Sequence, residues 1–265
     1  MRGLPATLRI VVEPEERLGG LPMQYWDGQG AARVHAYEDD ATLLERAEGK
    51  RSLLTLAMNE ADDDASRIIC KTVRILHEPR DKPYTELVPL DNGFRALEPA
   101  AQSHGGILRT SGAIAKALLA EPREITALHG DIHHSNILDF ENRGWLAIDP
   151  KGVLGERGYD HANLFCNPDL PTTQNPDRLR QQLPIVRENP VLRRSACCAG
   201  SSPMPGSRRP GSWRTAAIRA QRYVSPKLLR RNSPIAPERS AIRHDLSAVQ
   251  RPCPSLELRQ TAGEI

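Results

Sequence analysis

Leu128-His129-Gly130-Asp131-Ile132-His133-His134-Ser135-Asn136, followed by Trp145-Leu146-Ala147-Ile148-Asp149-Pro150, is the stretch that decides how this chain is read. An Asp is followed by an Asn five residues on, then by a second Asp thirteen residues further, at the end of an apolar run. Phosphoryl transfer to a hydroxyl needs such parts: one carboxylate to orient the hydroxyl, and an Asn and an Asp to hold magnesium on a nucleotide. Residues 137–140 and 145–148 are short, mostly apolar runs on either side of Glu141-Asn142-Arg143-Gly144, which predicts a hairpin with a four-residue loop. Pairing Phe140 with Trp145 also pairs Ile137 with Ile148 and brings Asn136 and Asp149 together at the hairpin's open end. Oxygen ligands suit magnesium, which takes few of them from protein. Asp131 lies in the loop before the first strand, within reach to act as base. A plain surface hairpin with polar ends is the alternative, and the agreement of spacing, residue types and hairpin weighs against it.

His129 to Asn136 resembles the catalytic loop of aminoglycoside phosphotransferases. The continuation through Arg143 to Gly152, Gly155-Glu156 and Ala162-Asn163-Leu164-Phe165 resembles the streptomycin 6-phosphotransferase branch, grouped with the aminoglycoside/hydroxyurea resistance kinases. The resemblance covers about residues 5 to 185 and is most specific between 126 and 171. It implies an α/β (α+β) chain with the two-lobed protein-kinase-like fold. It also implies ATP and Mg2+ as cofactors and a small-molecule aminoglycoside such as streptomycin as acceptor. Asp131 would be the catalytic base, and Asn136 and Asp149 the magnesium ligands.

Upstream, residues 7–12 read as a mostly buried strand, 31–36 as a second and 41–45 as a third, with Glu38-Asp39-Asp40 as the turn between the last two. Leu43-Leu44-Glu45-Arg46-Ala47 resembles the hinge that holds adenine, through backbone groups near Glu45 and Ala47. An edge strand running into a turn fits the same residues. Arg9 stands where the family carries a lysine that contacts the nucleotide phosphates and pairs with a helix glutamate. Arginine binds phosphate with a larger, planar head. Glu16 is the nearest candidate for the glutamate, whereas counting back from Trp26-Asp27-Gly28 puts Gly19 at that position, so the partner stays open. Only eight residues precede Arg9, so the strand pair and loop that cover the ATP phosphates are expected to be missing and the N-lobe to be incomplete.

Asp62-Asp63-Asp64 precede a helical pattern through His77, with acidic residues first and basic ones later, as the helix dipole favours. Ile68, Ile69, Thr72, Val73 and Leu76 form its core stripe. Residues 111–119 predict a second helix, packing beneath the catalytic loop. Adjacent His133 and His134 make a poor zinc site. His129 is expected to bond backbone near Asp149 or Asp160. Asp160 resembles the family residue that ties down the catalytic loop, and an N-cap is its plainer role.

From Val186 to Ile265 there are 14 Arg and 1 Lys against 5 acidic residues, a net of +10, which leaves −7 for residues 1–185 of a chain carrying +3. This segment holds nine prolines, ten serines and three of the five cysteines and shows no patterned apolar face, so it reads as a disordered basic tail. A frameshifted end explains arginine almost without lysine better than an evolved nucleic-acid-binding tail. With only Trp213 and Tyr223 as stacking aromatics, single-strand binding is disfavoured. The expected organisation is therefore a partial N-lobe and hinge over 1–49, a partial C-lobe over 50–185, and the tail over 186–265. Cysteines without metal-type spacing fit a reducing cytoplasm, and no membrane span is visible. The expected activity is ATP-dependent phosphorylation of an aminoglycoside. A catalytically inactive remnant and a nucleic-acid-binding protein are the alternatives.

Overall fold

The computed structural model describes residues 5–11, 14–84, 86–122, 124–169, 172–173 and 175–188. The tail beyond residue 188 lies outside them. The first part is an antiparallel sheet in the order β1-β3-β2, from β1 (Ala6–Ile10), β2 (Val34–Glu38) and β3 (Ala41–Glu45). A 3-10 turn and helix α1 (Gly20–Trp26) stand between β1 and β2. Helices α2 (Leu53–Met58), α3 (Asp62–Leu76), α4 (Leu97–His104), α5 (Gly106–Ala120) and α6 (Pro176–Glu188) follow. Among the later helices run β4 (Val88–Pro89), β5 (Ile125–Leu128), β6 (Ile137–Asp139), β7 (Trp145–Ala147) and β8 (Val153–Glu156). This is the expected α+β, protein-kinase-like arrangement: a small sheet, an extended connection, then a mainly helical part carrying the His129–Asn136 loop and the hairpin.

The expected elements differ in some details. β1 is not a mostly buried strand, because Leu8 and Ile10 are 59% and 66% exposed. Among the described residues it pairs with β3 alone, at the edge of the sheet, with Leu8 and Ile10 on an uncovered face. β2 starts at Val34 and not at Ala31, because Ala31 and Ala32 are drawn away to bridge the hairpin. The hairpin itself is one residue out of the expected register, with Ile137 opposite Ala147 and Asp139 opposite Trp145. Phe140 N–H donates to the Gly144 carbonyl at 2.8 Å, so the loop has five residues, with Glu141 (φ 50°) and Gly144 (φ 78°) making its sharp turns. Asn136 therefore faces Ile148, whose N–H donates to the Asn136 carbonyl at 2.9 Å, and Asp149 lies one step beyond.

α3 fits its predicted span. Ile69, Val73 and Leu76 are fully buried in the main core beside Trp26, Leu53, Ile132, Ile137 and Leu164. α5 does not lie beneath the catalytic loop. Its Leu108 and Ala115 join Leu97 and Ala101 of α4 in a separate small cluster, and α3 takes the place beneath the loop. α6 continues through Pro184 to Glu188 and buries Ile185 and Val186. Arg178 holds it to α3 through a two-bond contact with Asp62 (2.6 and 3.0 Å), and Gln182 donates to Asp62 and Ser66.

The hairpin is flanked on both sides. Gly30-Ala31-Ala32 runs parallel to β7, with Ala32 N–H donating to Ala147 O and Ala147 N–H to Gly30 O, each at 2.9 Å. On the other side, Gly49 N–H donates to Asp139 O at 3.0 Å and Ser52 bridges Leu138. Arg51 clamps the buried Asp139 carboxylate with two bonds, at 2.8 and 2.7 Å. The Arg51 bonds, with the N–H groups of Arg51 and Glu141, hold the Asp139 carboxyl down at about 2. An unfolded Asp titrates near ~3.9, so this group stabilises the fold above that pH and the contribution is lost as pH falls through about 2. Arg51→Ala is expected to lower the melting temperature at pH 7, by a margin that narrows toward pH 2 in thermal unfolding followed by circular dichroism. A margin independent of pH would place the stabilisation in the stacking of Arg51 over Trp145 instead.

Candidate active site

The site is assembled around a buried carboxylate. Asp160 is 2% exposed and sits in a 3-10 turn after β8. Its oxygens accept the N–H of His129 (2.9 Å), the N–H of Gly130 (2.8 Å) and Nε2–H of His77 (2.8 Å). Burial alone pushes Asp160 up, but the bond and charge of His77 and the Gly130 N–H outweigh it and hold the carboxyl below its ordinary range. Asp160 thus ties down the loop, as its resemblance implied. No cap of a helix N-terminus by its side chain is among the described contacts.

Gly130 has φ 80°, and a Cβ there would press on Val153 and Lys151 at 3.1 and 3.2 Å, so only glycine lets the loop pass so close to β8. His129 is fully buried. Its Nε2–H donates to the Ile148 carbonyl at 2.8 Å, which leaves Nδ1 to accept the Asp131 N–H at 3.3 Å. Burial lowers the basicity of the ring, consistent with this neutral tautomer. The Trp26 ring of α1 stacks on it at 6.2 Å. One imidazole therefore joins the loop carrying Asp131 to the strand end carrying Asp149.

The three residues expected to carry the chemistry lie along one connected path. Asn136 Nδ2 donates to the Asp131 carbonyl at 2.9 Å, and Asp149 follows the strand partner of Asn136. Asp149 takes a left-handed backbone, φ 63°, which costs a non-glycine residue roughly 1 kcal/mol or more. Its carboxylate forms an ion pair with Arg9. Arg9 therefore reaches the site from β1 and finds Asp149. Gly19 packs against the Pro150 carbonyl and close to the Arg9 guanidinium, leaving no space there for a glutamate side chain. The side chain of Glu16 lies outside the described residues. Glu45 commits its carboxylate to the hairpin, accepting the Arg33 N–H at 2.7 Å and pairing with Arg143. Ala47 is half-buried against the main core in the connection after β3.

Several site residues escaped the sequence reading. Asn163 Nδ2 donates to Asp131 Oδ1 at 3.0 Å and fixes the carboxylate's direction. His77, at the end of α3, holds Asp160. Lys151 Nζ lies 4.0 Å from Asp131 Oδ2. Asn163 stood within a quoted motif, but no local pattern gave it a partner 32 residues away. His134 is buried 4.0 Å from Asp62, and burial pushes it down to about 4. The donor types brought together by these contacts, two carboxylates, an amide oxygen and two cations, suit a magnesium-bound polyphosphate: oxygens for the metal, cations for the phosphate.

The family model described as aminoglycoside/hydroxyurea antibiotic resistance kinase matches residues 1–195, past residue 185 where the resemblance was expected to end. The chain is 47% identical over 188 residues to a streptomycin 3''-kinase of Klebsiella pneumoniae, a match covering 69% of this chain and 70% of that protein. It is 30% identical over 178 residues to a streptomycin 6-kinase of Streptomyces griseus, covering 60% of this chain and 53% of the relative. A hydroxyurea phosphotransferase of Kitasatospora aureofaciens is 29% identical over 174 residues, covering 62% and 51%. The chain thus spans about half the length of the latter two relatives.

Asp160→Ala leaves three buried donors without their acceptor and is expected to cost about 3–5 kcal/mol in urea unfolding. His161 gives a second test. Burial first, then repulsion from His77, pushes it down to about 4, while an unfolded His titrates near ~6.5. The folded state therefore binds fewer protons between these values. Stability is complete above the upper one and falls as pH drops toward the lower. The urea midpoint is expected to fall from pH 7 to pH 4, and His161→Gln to flatten that decline.

Proposed function

The chain belongs to the aminoglycoside/hydroxyurea antibiotic resistance kinase family, and from that premise we propose that it transfers the γ-phosphoryl group of ATP to a hydroxyl of streptomycin. The observation that carries this reading is the orientation of Asp131: Asn163 holds one carboxylate oxygen at 3.0 Å, and Asn136 is bonded to the same residue's carbonyl. The other oxygen is left to meet an acceptor hydroxyl. Higher identity to the 3''-kinase than to the 6-kinase supports the 3''-hydroxyl as the acceptor.

Bound Mg-ATP supplies the electrophilic phosphorus and the metal's charge. Asp131 orients the hydroxyl and takes its proton as the new O–P bond forms. The side-chain oxygens of Asn136 and Asp149 would hold the magnesium, while the Asn136 amide N–H stays on the Asp131 carbonyl. Backbone groups of Glu45 and Ala47 hold the adenine. This leaves the Glu45 carboxylate on the hairpin, where it already has partners. Arg9, paired with Asp149, would be the cation offered to the phosphates.

Incubating the purified chain with ATP, magnesium and streptomycin is expected to yield streptomycin phosphate, its position read by phosphorus and proton NMR. Absence of product overturns the proposal. Asp131→Asn is expected to lower turnover by about 10²-fold or more with nucleotide affinity retained, whereas Asp149→Ala weakens magnesium-dependent nucleotide binding in a titration. Undiminished transfer by Asp131→Asn removes Asp131 as the base.

A further inference from the structure

The geometry points to Lys151 as the residue that grips the γ-phosphoryl group, a polyphosphate-binding cation at the point where the group passes from donor to acceptor. The inference rests on the kinase reading above and narrows the role of Lys151 from a cation near the site to the one on the transferred group.

Lys151 is placed by backbone contacts. Its N–H donates to the His129 carbonyl at 2.8 Å. The next residue, Gly152, has φ 67°, and a Cβ there would meet Leu18 at 2.8 Å, so this turn closes only with glycine. Lys151 Cβ lies 3.2 Å from where a Cβ on Gly130 would be, so the lysine starts out directly beside the loop carrying Asp131. Two residues before it stands Asp149. Lys151 therefore spans the gap between the candidate metal ligand and the candidate base.

Its ammonium lies 4.0 Å from Asp131 Oδ2, outside hydrogen-bond distance, while Asn163 holds Oδ1 at 3.0 Å. Asn163, and not Lys151, is thus the group that fixes the carboxylate. A cation placed beside the base, on the segment that also carries Asp149, is where a negatively charged group entering between metal and base would meet it. Phosphoryl transfer is accelerated by positioning and by charge neutralisation on the equatorial oxygens. In the step, the acceptor oxygen bonds to phosphorus and the bond to the β,γ-bridging oxygen breaks, its electron pair leaving with ADP. The hydroxyl proton goes to Asp131. Lys151 keeps its protons throughout and donates one N–H to an oxygen of the moving group.

The test compares the non-hydrolysable triphosphate AMP-PNP with ADP, each with magnesium, by titration calorimetry on the wild-type chain, Lys151→Met and Lys151→Arg, with circular dichroism confirming the fold. A charge-assisted bond to the terminal phosphate predicts that Lys151→Met weakens AMP-PNP by about tenfold or more while ADP binding holds. Lys151→Arg should keep part of the preference. Equal loss for both nucleotides, or no loss for either, overturns the assignment and leaves the kinase reading in place. A wild-type chain that binds neither nucleotide overturns the kinase reading and this inference with it.

Discussion

Everything in the candidate site depends on the buried Asp160 carboxylate. Three donors from two parts of the chain converge on it: His77 from the end of α3, and the consecutive N–H groups of His129 and Gly130. A buried charge without such partners would be prohibitive. With them it forces the Gly130 turn against β8 and sets the direction in which Asp131 leaves the loop. His129 then carries the constraint across to Ile148, one residue before Asp149. Asp131 and Asp149, the proposed base and metal ligand, are therefore related through one carboxylate and one neutral imidazole.

Charge in the cleft is balanced by proximity. Arg9 pairs with Asp149, and Lys151 lies near Asp131. All four groups are partly exposed, so these contacts are screened and weak as stabilisers. Their value is chemical. A carboxylate that holds a cation has the field that a metal ion needs, which is what the proposed role of Asp149 requires. The Gly19 backbone against Pro150 and Arg9 explains why Arg9 finds Asp149 instead of a helix glutamate.

Where local pattern carried the information, it was legible in the sequence. The apolar runs on both sides of Glu141–Gly144 marked the hairpin, and the stripe through Ile69, Val73 and Leu76 marked α3. The one-residue register error came from Phe140, which is apolar enough to look like strand but has φ −104° and ψ 33° and belongs to the loop. α5 was assigned the wrong neighbour because an Ala- and Leu-rich face packs equally well on any apolar surface. Tertiary context decides between α4 and the catalytic loop. Pro184 disguised α6, since its cost within a helix is met by contacts invisible locally, above all Arg178 on Asp62. His77 and Asn163 were missed for a related reason. Each acts on a residue tens of positions away, and a lone His or Asn has no period to betray it.

β1 shows how function and burial separate in this fold. Leu8 and Ile10 are exposed, so hydrophobic burial contributes little to holding the strand. Its pairing to β3 fixes its direction, and Val11 tucks into the core at its end. The side chain between the two exposed ones, Arg9, points the other way, as the period of a strand requires, and reaches Asp149. The strand's alternation is therefore inverted relative to a core strand: the charged position faces the protein and the apolar positions face out. Such a pattern is expected when the inward face borders a polar cleft and not an apolar interior. It turns the one charged position of β1 toward Asp149.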